Sequence, residues 1–157
     1  MTYQVTKDLE TGNTIIDSEH RELFRAVNQL MEECGKGKGR ASLEPTAKFL
    51  LDYVDKHFAH EEDLQRKYQY PSMATHHIFH ENYKRKLRDI ANQIMAHDPT
   101  VTDLSNLNAH IGVLVSHIKT EDKSLGAFLR ENTNKDTYPK SIRSPIKKRQ
   151  TSQVWRF

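Results

Sequence analysis

Apolar side chains recur at three- and four-residue intervals along four stretches of the chain, and no stretch alternates apolar with polar residues as a strand does. The first stripe, His20, Leu23, Phe24, Val27, Leu30, Met31 and Cys34, predicts a helix from about Ser18 to Cys34, with Asp17 or Ser18 as cap and Gly35 to Gly39 as its end. The second predicts a helix from near Ser42 to about Tyr68, with Pro45 in its first turn. Leu43, Ala47, Leu50, Val54, His57, Phe58, Glu61 and Leu64 share one face of it, and Tyr70-Pro71 stops it. A third follows Ser72 as cap and carries Met73, His76, His80, Tyr83, Leu87, Ile90 and Ile94 to the break at His97-Asp98-Pro99. The fourth, capped by Asp103, turns Leu107, Ile111, Leu114, His117, Asp122, Leu125 and Leu129 inward. Short connections between four such helices predict an all-α fold, an antiparallel up-down-up-down four-helix bundle with Thr2 to Thr6 as a short packed N-terminal arm.

Polar residues interrupt these stripes at seven places. His20, His57, Glu61, His76, His80, His117 and Asp122 occupy core-facing positions, where an unsatisfied polar group is costly and where imidazole with carboxylate is a ligand set suited to iron and its neighbours. His57 and Glu61, like His76 and His80, are four apart and project from one helix face, so the set can converge on one point of the bundle core. Five residues separate His117 from Asp122, a rotation of about 140° on a regular helix. That spacing predicts either different angles of approach or a local distortion of the helix. With both carboxylates bridging and one shared oxygen, the set fills two octahedra save one position, an opening suited to one diatomic ligand. Zinc, which prefers four ligands, fits less well than iron or manganese. His60, His77, His97 and His110 match no such position and are expected at the surface or boundary, Glu62 is expected to point away into solvent, and Tyr83 to serve packing.

With 157 residues and 36% hydrophobic content the chain suits one compact domain. No apolar run approaches the roughly 18 residues of a membrane span and the start does not resemble a signal peptide, so a soluble cytoplasmic protein with no membrane partner is expected. Cys34, the one cysteine, falls on an apolar stripe and is expected to be a small buried hydrophobe. After Asn134 the periodicity ends. Seven basic side chains there stand against Asp136 alone, a surplus of six that exceeds the chain's formal +3 and leaves the first 134 residues at −3. The basic balance therefore belongs to a tail and implies no nucleic-acid surface on the domain. The expected division is a bundle over residues 1–134 and a disordered basic C-terminal tail over 135–157, an untethered extension unless Val154, Trp155 and Phe157 dock a partner. A monomer or weak oligomer is expected.

Four motifs fall in a fixed order: Ile16-Asp17-Ser18-Glu19-His20, His57-Phe58-Ala59-His60-Glu61-Glu62, Tyr70-Pro71 leading to His76 and His80, and His117-Ile118-Lys119-Thr120-Glu121-Asp122. A lone histidine, HxxxE, HxxxH and HxxxxD is the pattern of the hemerythrins, and over about residues 2 to 131 the chain resembles the bacterial single-domain members of that family. The resemblance implies two iron ions in a non-haem, oxo- or hydroxo-bridged di-iron centre. One iron would be held by His76, His80 and His117, the other by His20 and His57 and open to dioxygen, with Glu61 and Asp122 bridging. It also implies that Leu114 lines an oxygen pocket. Many relatives carry tryptophan just before that leucine and near the N-terminus; Val113 and Tyr3 stand there in this chain, changes that leave the ligands untouched and are expected to widen the pocket or admit water.

Three classes of function compete: a reversible oxygen binder, a di-iron oxidase or peroxidase, and a sensor module. Oxygen-activating carboxylate sites use four carboxylates and two histidines, whereas this chain offers two carboxylates with five neutral imidazoles, a centre less able to support high-valent oxidation. Nor does the stripe hold a second acid or base for a substrate reaction. Reversible dioxygen binding without enzymatic turnover, for storage, delivery or scavenging, is the expected function. The alternatives are oxidase or peroxidase chemistry, nitric oxide detoxification, and an oxygen or redox sensor acting through the tail.

Overall fold

Four antiparallel helical rods form in the computed structural model, which describes residues 2–136. They are α1 (Thr14–Gly35), α2 (Arg40–Tyr68), α3 (Met73–Ala96) and a last rod made of α4 (Val101–His117), a π-helical turn (Ile118–Asp122) and α5 (Lys123–Asp136). No strand occurs among the described residues, and no helix there is long and apolar enough to cross a membrane. The expected four-helix bundle is thus the fold. The tail is expected from residue 135, but α5 runs on to Asp136; the rest of it, residues 137–157 with the expected disorder and the docking role of Val154, Trp155 and Phe157, lies outside the described residues.

Caps move the helix starts away from their expected places. α1 begins four residues before Ser18, because the Asn13 side chain accepts hydrogen bonds from Ile15 N and Ile16 N, both at 3.1 Å. Neither Asp17 nor Ser18 is the cap. Asp17 is buried and turns back to accept from Thr11 N and Thr11 Oγ1 at 2.8 Å and from Gly12 N at 3.2 Å, which fixes the entering loop. α2 winds from Arg40 after Gly39, so Ser42 lies inside it and Pro45 falls in the second turn. Ser72 does precede α3, but its hydroxyl makes no capping bond. Asp103 is not the cap of α4: Thr100 is, and Asp103 three residues on closes a reciprocal capping box with it.

The main core draws Leu23, Phe24, Val27, Leu50, Val54, Phe58, Leu87, Leu107 and Leu114 from all four rods, and Cys34 is buried among them as expected. Each such large side chain, fully buried, contributes about 1.5–3 kcal/mol. A second, smaller apolar cluster of Ile16, Leu125 and Leu129 lies on the other side of the polar positions, with Leu64, Tyr68, Tyr70 and Phe128 packed against it. The candidate ligands therefore sit between two apolar layers. Along the edge between α1 and the last rod runs the N-terminal arm: Tyr3 packs on the core, exchanges hydrogen bonds with Asn28 of α1 and donates its hydroxyl to Asn108 of α4. Farther along, Lys123 donates to Asp8 O at 2.8 Å and Arg130 to Thr11 O at 3.2 Å.

Candidate metal centre

Each rod sends at least one of the seven predicted side chains into the layer between the two apolar clusters, and all seven are buried. Glu61 sits at the centre. Its Oε1 lies 3.2 Å from His57 Nε2 and 3.7 Å from His20 Nε2, while its Oε2 lies 3.2 Å from His80 Nε2 and 3.3 Å from His76 Nε2. Asp122 divides in the same way: Oδ2 is 3.2 Å from His20 Nε2, and Oδ1 is 3.2 Å from His76 Nε2 and 3.0 Å from His117 Nε2. Each carboxylate thus turns one oxygen to members of one pair, His20 and His57, and the other to members of a trio, His76, His80 and His117. The donor atoms form two sets, one from His20, His57, Glu61 and Asp122 and one from Glu61, His76, His80 and His117, and within each set the atoms lie within 4.8 Å of one another.

The π-helical turn explains the spacing of five. Widening the helix between Ile118 and Asp122 brings residues five apart onto one face, so His117 and Asp122 meet at the cluster despite lying 140° apart on a regular helix.

Contacts behind the imidazoles hold them in place. His57 Nδ1 donates to Glu19 at 2.8 Å and His80 Nδ1 to Glu62 at 2.9 Å, leaving each Nε2 turned to the cluster. Glu19 also meets His60 Nδ1 at 3.0 Å, and Glu62 meets His77 Nδ1 at 3.0 Å. The rings of Phe58 and Phe79 stack on those of His80 and His117, with centroids 3.8 and 3.7 Å apart. Glu62 is therefore a correction: it faces α3, not solvent. A residue next to a core position lies 100° around the helix, at the flank where the next helix packs, and both Glu62 and Glu19 exploit that flank.

His110 is a second correction. It is buried, its ring stacks on Tyr83 at 4.0 Å and its Nε2 donates to Tyr83 O at 3.1 Å, and burial pushes its imidazole down toward the neutral form. His60 is half-buried while His77 and His97 are exposed, as expected. Tyr83 packs in the core with its hydroxyl unpartnered, and burial pushes that phenol up. Leu114 is buried in the main core one turn before His117, whereas Val113 is 48% exposed and lines a shallow recess of about 180 Å³ with Phe79, Asn82, Tyr83 and His110. Gln65, a turn beyond Glu61, is a fully buried polar residue that went unread in the sequence.

The donor set fits metal cations. Both oxygens of Glu61 and of Asp122, and Nε2 of His20, His57 and His80, are buried with no hydrogen-bond partner, an arrangement that is costly without a shared cation or proton. Protons partly fill that role. Burial alone would push the His57 imidazole down, but the charge of Glu61 and the hydrogen bond it donates to Glu19 outweigh it and raise it to about 10. His76 is raised to about 9 against the same opposition, by Asp122 and Glu61. Burial likewise opposes ionisation of the two carboxyls, yet the imidazoles around them hold both well below the usual carboxylate range.

A helical bundle with imidazoles and carboxylates converging between its apolar layers defines a metal-cation-binding protein of the four-helix type. Comparison with known proteins agrees. Residues 11–129 match the family described as the Hemerythrin HHE cation binding domain, and the chain belongs to that family. It is 29% identical over 115 residues to a bacteriohemerythrin of Pseudomonas paraeruginosa (strain DSM 24068 / PA7), covering 73% of each chain. It is 25% identical over 127 residues to one of Stenotrophomonas maltophilia (strain R551-3), covering 81% of each, and 24% identical over 135 residues to one of Campylobacter jejuni subsp. jejuni serotype O:6, covering 86% of this chain and all of that one.

Proposed function

We propose that this chain binds dioxygen reversibly at a non-haem di-iron centre, without enzymatic turnover. In this reading His20 and His57 hold one iron, His76, His80 and His117 the other, and Glu61 and Asp122 bridge. The observation that carries it is the division of the two carboxylates, each with one oxygen toward the pair of histidines and one toward the trio. An iron pair held there would supply reversible two-electron exchange with a small diatomic ligand.

The chain's own residues supply the rest. Five neutral imidazoles and only two carboxylates supply little negative charge to the centre, which favours holding and releasing a ligand over supporting higher oxidation states. Glu19 and Glu62 fix two of the imidazoles by their Nδ1–H groups. Leu114 and Phe58 present apolar surface beside the cluster and exclude water from it. His110, a further buried imidazole, is occupied with Tyr83. The function is assigned to residues 1–134, with the cluster wholly inside them.

The optical spectrum tests this. Iron-loaded protein, reduced without oxygen, is expected to gain a visible charge-transfer band in air and lose it again under argon. Irreversible conversion to an oxidised form would overturn the reading in favour of an oxidase, a peroxidase or a redox sensor.

A further inference from the structure

Gln65 is fully buried on α2, and neither its amide oxygen nor its amide nitrogen has a hydrogen-bond partner. It stands one turn beyond Glu61 on the same face, so its side chain, which leans toward the helix N-terminus, is directed to the cluster. A second unpartnered buried atom lies on the facing helix: His76 Nδ1. His76 turns its Nε2 to Glu61 and Asp122, so a neutral His76 that donates its Nε2 lone pair to a metal carries its proton on Nδ1, and that N–H needs an acceptor.

The helix register brings the two together. Glu62 of α2 meets His77 and His80 of α3, so three residues further along α2 correspond to three residues back along α3, level with Ala74 to His77. The same reasoning on the α1 side, where Glu19 meets His60, puts Gln65 level with Thr14, more than a turn from His20. His20 Nδ1 is thus out of register, and His76 is the ligand that Gln65 serves.

We propose that Gln65 is a positioning residue of the metal centre, its Oε1 accepting the Nδ1–H of His76 as Glu19 and Glu62 accept those of His57 and His80. A neutral amide at this third place orients the imidazole without adding charge to the centre. The inference rests on His76 being a ligand.

Two variants of the full chain separate positioning from packing. Gln65→Met keeps the volume and removes both unpartnered amide groups; Gln65→Glu keeps the acceptor. With ferrous iron under argon and a competing chelator, Gln65→Met is expected to hold iron about tenfold more weakly, while the metal-free protein melts no lower than the parent. Gln65→Glu is expected to restore retention. Iron retention unchanged in Gln65→Met, or equally weak in Gln65→Glu, would overturn the assignment. In the parent protein loaded with zinc, a slowly exchanging His76 Nδ1 proton with a nuclear Overhauser contact to the Gln65 side chain is expected; a His76 Nδ1 proton in contact with some other group would overturn the assignment whether or not the variants fold. His76→Ala completes the set: if it retains both irons, the ligand reading itself fails, independently of Gln65.

Discussion

A metal ion that binds at His57 and His76 competes with protons. Their imidazoles are raised to about 10 and about 9 in the metal-free cluster, so both are charged at pH 7 and must lose a proton before Nε2 can coordinate. Loading at pH 7 is therefore expected to release about two protons and the apparent affinity to rise steeply with pH, levelling once pH passes about 9 and then 10. Calorimetric titration of zinc into metal-free protein, in buffers of different ionisation enthalpy, measures that release; a value near zero at pH 7 would contradict it. The sign for folding is opposite. A raised histidine stabilises the metal-free fold fully below its unfolded value of 6.5, and that contribution is lost as pH rises through 9 and 10, whereas the depressed Glu61 and Asp122 withdraw theirs as pH falls into the acid range. At this scale the seven cluster positions were legible because each breaks an apolar stripe. Glu19, Glu62 and Gln65 were not: a polar residue beside or beyond a stripe reads as solvent-facing until the neighbouring helix is in place.

The π-helical turn is one of the two outcomes that the spacing of His117 and Asp122 allowed, since no regular helix brings residues five apart to one side. Such turns cost stability, so its presence at the cluster implies a task there. Deleting Thr120, exposed in the middle of the turn, shortens HxxxxD to HxxxD and allows a regular helix. The metal-free variant is expected to melt at or above the parent temperature while losing iron; undiminished iron content would show that the widened turn does not set the position of Asp122. Helix starts were less legible than helix faces. Asn13 and Thr100 are caps that the pattern passed over in favour of Asp17 and Asp103, because a carboxylate near a helix start can equally close a box or hold the entering loop. That loop presses on the last helix: a Cβ on Gly126 would lie 2.3 Å from Thr11 O. Gly126→Ala is expected to destabilise the protein by about 1–3 kcal/mol, read as a lower melting temperature.

At the scale of the whole molecule, the bundle and the antiparallel order of its rods followed from four stripes and short connections, and the cluster's place between two apolar layers followed from where the histidines interrupt those stripes. Among the described residues, the side chains that enclose the cluster all lie before residue 134. Removing residues 137–157 is accordingly expected to leave iron content and the oxygen-dependent spectrum unchanged, and a shifted band would show that the tail reaches the centre. The N-terminal arm has a further consequence. It covers the edge between α1 and the last rod, the rods that bear His20 and Asp122, and it does so without a helix of its own beyond the short turn Lys7–Leu9. Hydrogen bonds to Asn28, Asn108, Lys123 and Arg130 fasten it at separate points. A strip held this way lifts off at far less free energy than a helix unwinds. The bundle is therefore expected to open at that edge first, and the time His20 stays dry to follow the residence of a dozen N-terminal residues more closely than the global stability of the fold.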